Sequence, residues 1–173
     1  MAWPSFVARL CVASIGDTYN QYACSPVCRR RLEEYLAGAR DARILLVGEA
    51  AGYRGARVSG IPFTSERQLT GTGPAEATAT IVHRVLAELG VEDDVLLWNV
   101  VPTHPHRPGE PASNRRPNAA EIAAARPFLD ELAHGRTVVP VGRVAEAALA
   151  IRGIRHPSHG GAVAFRAGLA RLV

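Results

Sequence analysis

The sequence contains no lysine. All 20 of its Lys+Arg residues are arginine. That excludes a P-loop, whose phosphate contact is a lysine, and a side-chain Schiff base, which needs an amine. Cysteine is scarce: there are 3, Cys11, Cys24 and Cys28, and an odd count does not build a disulfide framework. Cys24-x3-Cys28 could begin a metal site, but no second pair follows and a structural site wants four ligands, so no metal is expected. Long apolar runs are missing too. Nothing approaches the ~18 residues of a membrane-spanning helix. Residues 6–15 are apolar, but Arg9 interrupts them and Trp3-Pro4 precedes them, so they do not read as a secretory signal. The default location is then cytoplasmic.

What is present has a globular balance, 47% hydrophobic and 21% charged, and 173 residues suit one domain spanning 1–173. The net charge of +4 and pI near 9.4 suit a polyanionic partner. Ile44-Leu45-Leu46-Val47, Val95-Leu96-Leu97-Trp98 and Thr137-Val138-Val139-Pro140-Val141 read as buried parallel strands. Residues 151–155 read as a fourth. Helices are expected over 25–38, 75–89, 143–150 and 161–172. Another runs from Asn118 to about His134, with Glu121 at the capping-box position. Residues 49–64 and the Pro-rich 102–117 read as loops.

Strands alternating with helices predict a three-layer α/β/α sandwich around a central four-stranded parallel sheet. In such folds ligands bind beyond the carboxyl ends of the strands. Those ends carry Gly48-Glu49, Trp98-Asn99, Val141-Gly142 and His156-Pro157-Ser158. A carboxylate, an amide and an imidazole therefore converge on one rim.

Three stretches at these ends resemble the uracil-DNA glycosylase superfamily, and its family 4 in particular. The first is Gly48-Glu49-Ala50-Ala51-Gly52 with Gly60-Ile61-Pro62-Phe63. The second is Asn99-Val100-Val101, Asn114-Arg115-Arg116-Pro117, Glu121-Ile122 and Arg126-Pro127-Phe128-Leu129. The third is Val141-Gly142-Arg143 with His156-Pro157-Ser158. The likeness covers about residues 43–160.

The resemblance implies hydrolysis of the N-glycosidic bond of a deaminated base, uracil first, flipped out of DNA into a pocket. His156 would donate to the base oxygen and quiet the departing anion, Asn99 would read N3–H and O4, and Glu49 would act on the attacking water. Phe63 would stack on the base, with Gly48, Ala50 and Gly52 lining the pocket. Ser158, His159, Arg115 and Arg116 would touch DNA, with His159 or Val163 as wedge and Arg54, Arg57 and Arg166 as further phosphate contacts. No cofactor is implied, and a monomer is expected. Without lysine the enzyme would be monofunctional and leave an abasic site.

The sequence departs from family 4 at two places, the cluster ligands and the first motif, and shares with it two changes from the superfamily's best-known branch. Two of the four iron–sulfur cysteines of that family fall on Thr103 and Ala125, which supply no thiolate, so no cluster is expected. Ala51 replaces a proline in the first motif. Ala50 and Gly52 stand where the superfamily's best-known branch has a catalytic aspartate and a thymine-blocking tyrosine, so the range of bases stays open to hypoxanthine and xanthine. Two alternatives remain. One is a module that binds lesions without cutting. The other is a metal-dependent hydrolase using His104-x-His106 with Glu49 or His156.

Overall fold

The computed structural model describes residues 3–173. Three strands form the parallel sheet: β2 (Ile44–Ala50), β3 (Val95–Val101) and β5 (Thr137–Pro140), in the order β3-β2-β5. Along β2 and β3 alternate side chains enter two different cores. Leu45, Val47, Leu96 and Trp98 face one side, and Ile44, Leu46, Val95 and Leu97 face the other. A strand apolar on both faces needs a cover on both. On the first side the cover is α1 (Trp3–Val12), α3 (Pro26–Gly38), α7 (Ala119–Ala133) and α8 (Arg143–Leu149). On the second it is α6 (Ala77–Leu89) and α9 (Ala162–Leu169). The three-layer α/β/α arrangement is therefore the observed one.

The sheet is one strand narrower than expected. Residues 151–155 make a single parallel bridge, Val141 to Ile154. Pro140 accepts from the Ile154 N–H at 2.8 Å but has no N–H to return. The Gly153 N–H is diverted to Glu146 at 2.9 Å. With no continuous ladder to join, the segment touches the sheet once and turns away.

The apolar N-terminal stretch forms α1. Phe6, Val7 and Leu10 are fully buried in it, and Phe6 meets Trp98 and Phe128 edge-on. Two short strands, β1 (Thr18–Tyr19) and β4 (His104–Pro105), pair antiparallel inside segments that read as loop. Short helices α2 (Gln21–Cys24), α4 (Ala56–Ser59) and α5 (Glu66–Thr70) complete the chain with one 3-10 turn, Glu92–Asp94.

A polar latch ties the N-terminal segment to the 102–117 loop. Thr18 and Thr103 share a hydroxyl hydrogen bond of 2.6 Å, and Gln21 donates to the Pro102 carbonyl at 2.8 Å. Arg115 is its centre. Its five N–H groups meet five acceptors: the carbonyls of His106, Arg116 and Asp17 and both oxygens of Glu121. Glu121 is 0% exposed and also closes the expected capping box on α7 with Asn118. Arg115 therefore has no donor to spare for a phosphate.

The Arg115 guanidinium holds the Glu121 carboxyl below the usual carboxylate range, against the opposing effect of burial. A depressed folded-state pKa means that this stabilisation is complete above the unfolded carboxylate range and is lost as pH falls through the folded value. Arg115→Ala, which leaves the buried carboxylate unpaired, should cost about 3–5 kcal/mol in urea unfolding at neutral pH. The loss should shrink as the pH is lowered and the carboxyl protonates.

Candidate active site

The site is assembled by register. Gly48 lies opposite Asn99 where β2 and β3 pair, so both motifs end at the same level. The bridge at Ile154, with Gly142 N–H donating to its carbonyl at 2.9 Å, brings His156 to the end of the neighbouring strand. One residue pair thus does what a full fourth strand was expected to do. A Cβ on Gly48 would come within 2.7 Å of Asn99 Oδ1 and 2.8 Å of the Phe63 ring. Gly48 therefore lies beneath the amide and the ring, and its missing side chain lets them close over it.

Phe63 has a φ of 53°, a left-handed conformation that non-glycine residues seldom adopt and that marks stored strain. The loop around it is fixed by buried Ser59, which donates to the Thr64 carbonyl at 2.6 Å and accepts from Ile61 N–H at 3.1 Å. His159, three residues after His156, is also at positive φ (50°).

These residues enclose a cavity of about 100 Å³ lined by Ala50, Gly52, Phe63, Asn99, His156 and Glu49, among others. Asn99 is 4% exposed, yet its carboxamide has no hydrogen-bond partner among the described residues. The carboxamide is therefore open to the cavity that Asn99 lines. A groove of about 710 Å³ adjoins it, lined by Arg116, Arg143, Arg155, Ser158 and His159, and shares Glu49 and His156 with it. None of these three arginines is in an ion pair among the described residues.

His156 carries its own tautomer signal. Its Nδ1 accepts the Ser158 backbone N–H at 3.2 Å and lies 2.7 Å from the Ser158 hydroxyl. An Nδ1 that accepts leaves the proton of a neutral ring on Nε2. Burial, and then Arg155 and His159, push its pKa down, which keeps the ring neutral. Ser158 is thus turned inward on His156 and His159. Burial pushes Glu49 up, and Arg116 opposes that.

Other candidates are engaged elsewhere. His104 is fully buried, with Nδ1 2.7 Å from the Ala51 carbonyl and Nε2 3.3 Å from that of Pro111. It anchors the first loop and offers no free nitrogen to a metal. Arg166 pairs with Glu88. Arg54 lies over the Tyr53 ring and Arg57 over Tyr19. Val163 is 81% exposed. Two arginines of the groove, Arg143 and Arg155, were not anticipated as lining it, although Arg143 belongs to the third motif and Arg155 precedes His156. Glu76, which also lines the cavity, sits in no motif.

The uracil DNA glycosylase superfamily model matches residues 36–169. This chain belongs to the uracil-DNA glycosylase superfamily. Comparison with curated protein sequences finds no match. A solved structure described as wild-type SMUG2 of Pedobacter heparinus aligns with a TM-score of 0.71 at 14% identity, over 99% of this chain and 97% of that one. At that identity the likeness speaks for a uracil-DNA glycosylase fold. The iron–sulfur centre of the superfamily's family 4 does not fit the residues here. Thr103 is spent on Thr18, Ala125 is packed in the core, and Cys24 is exposed while Cys28 is buried. Among the described residues no group of three or more His, Cys, Asp or Glu is placed to hold a metal ion.

Nitrogen-15 NMR should find His156 as the neutral Nε2–H tautomer at pH 7, titrating below the ordinary imidazole range. An Nδ1–H ring at pH 7 contradicts the assignment.

Proposed function

We propose that this protein is a monofunctional DNA glycosylase, acting as a monomer, that draws a deaminated base, uracil first, into the cavity and hydrolyses its N-glycosidic bond. The observation that carries this reading is the buried, unpartnered Asn99 carboxamide. It faces a cavity of about 100 Å³ that His156 also lines. An amide supplies one acceptor and one donor side by side, the complement of uracil N3–H and O4. Cytosine presents the reverse pattern there.

Bond cleavage builds positive charge on the sugar and negative charge on the base. An Nε2–H of His156 directed at the base oxygen meets that negative charge without being a cation itself, and low polarity around it strengthens the contact. Glu49, at the mouth shared by cavity and groove, is placed to orient the attacking water; burial pushes its pKa up and Arg116 opposes that push. Phe63 gives the base a face to stack on, and Ala50 and Gly52 let it approach the backbone. Ser158 acts as a positioning residue for His156. The phosphates fall to Arg116, Arg143 and Arg155, with His159 and Val163 exposed where the duplex would be entered. With no amine on any side chain, the product is an abasic site with its strand intact.

Uracil-containing oligonucleotide incubated with the protein and then treated with alkali should break at the uracil; binding without breaks supports a lesion-binding module instead. Asn99→Ala and His156→Ala should each lower the single-turnover excision rate by about 10²–10³-fold with duplex affinity nearly unchanged. Each of Arg116→Ala, Arg143→Ala and Arg155→Ala should instead weaken binding to any sequence and flatten the slope of log K against log salt by about 1. Arg115→Ala should leave that slope alone.

A further inference from the structure

The strand β5 pairs with β2 on one side only. Thr137 N–H donates to the Arg43 carbonyl at 2.9 Å, and Val141 N–H to that of Val47 at 2.8 Å. Successive residues of a parallel strand bond to opposite sides, so Val138 and Pro140 turn their backbone groups away from β2. Ile154 N–H takes the Pro140 carbonyl. The segment 151–155 bridges the sheet only there, which leaves the N–H and C=O of Val138 on an open edge.

A groove of about 580 Å³ lies between this edge, residues 152–155 and the C-terminal end of α9. Val138, Val139, Ile154 and Leu172 give it apolar walls, and Arg152, Arg155 and Arg171 give it charge. Among the described residues no carboxylate lines it, and none of the three arginines is in an ion pair. Arg171 spends one N–H on the Ala167 carbonyl. Leu172 stays 45% exposed.

These features together select a ligand. An open N–H and C=O on a strand edge is satisfied by another extended backbone. Apolar walls call for apolar side chains, and unpaired guanidinium groups call for anions. A nucleic-acid phosphate chain answers only the last. A second copy of this chain answers the first two, but a two-fold interface would set the same three arginines against themselves. An acidic peptide in extended form answers all three, because its period of two puts apolar residues on one face and carboxylates on the other.

We propose that this groove docks a partner protein through an extended acidic segment with interspersed apolar residues. The segment adds beside β5 through the backbone of Val138 and sets its carboxylates against Arg152, Arg155 and Arg171. Pro140 keeps the edge short, so two backbone hydrogen bonds align the segment and its side chains supply most of the grip. The site does not depend on glycosylase activity. It meets the other groove at Arg155, which lines both.

A fluorescein-labelled short peptide of alternating aspartate and valine, titrated against the full chain, should bind with a dissociation constant below about 1 mM. A lysine–valine peptide should not bind, and an aspartate–serine peptide should bind about tenfold more weakly. Arg152→Ala combined with Arg171→Ala should weaken the aspartate–valine peptide by about tenfold, with duplex DNA affinity within about threefold of wild type at about 0.15 M salt. Hydrogen exchange at the Val138 amide should slow in the bound wild type. Val138→Pro, which removes an N–H outside the β2 ladder, should weaken the peptide about fivefold. The proposal is overturned by no binding up to about 1 mM, by equal binding of the aspartate–serine peptide, or by a double arginine variant within about twofold of wild type. Loss of duplex affinity in that variant with no peptide bound assigns the groove to DNA instead. A dimer that the peptide does not displace assigns it to a second copy.

Discussion

The in-register pairing of β2 with β3 is the constraint on which the site depends. Parallel strands fix neighbours by level, so Gly48 opposite Asn99 decides where the amide stands. Because position 48 has no side chain, the Phe63 ring can lie down beside that amide. A one-residue slip would turn Asn99 to the other face of the sheet and empty the cavity of its only buried amide. The apolar residues of both strands, locked between two cores, are what forbid the slip.

A second constraint holds the rim together from behind. The 102–117 loop contributes Arg116 to the groove and is long enough to wander. Arg115, the neighbouring residue, binds buried Glu121 and three carbonyls, while β4 pairs with β1. His104 ties the same loop to the Ala51 carbonyl of the first motif. Charge-assisted hydrogen bonds fixed in direction thus secure the region in a chain without the cysteines of a cluster. Neighbouring arginines divide the work: one spends all its donors inside the fold and the other lines the groove.

Much of this was legible in the sequence because it is local. The apolar runs of β2, β3 and β5, the capping box of Asn118 and Glu121, and the motif residues at strand ends all depend on neighbours a few positions away. The pairing of β1 with β4 was not legible, since two-residue strands carry no periodicity. The width of the sheet was overread because 151–155 is apolar enough for a strand, but Pro140 cannot return its hydrogen bond. Arg115 looked like a phosphate contact because composition does not reveal that a buried carboxylate claims it. Glu76 gave no signal at all: it lies in no motif, and only the fold brings it to the cavity.

The cleft draws its positive charge from guanidinium groups alone. Arginine does not lose its proton at any pH a cell reaches, so the charge that Arg116, Arg143 and Arg155 bring to the groove stays constant as acidity changes. The imidazoles and carboxyls of the rim are the groups that respond. Acidity therefore changes the protonation of the cavity's rim and leaves the positive charge of the groove untouched.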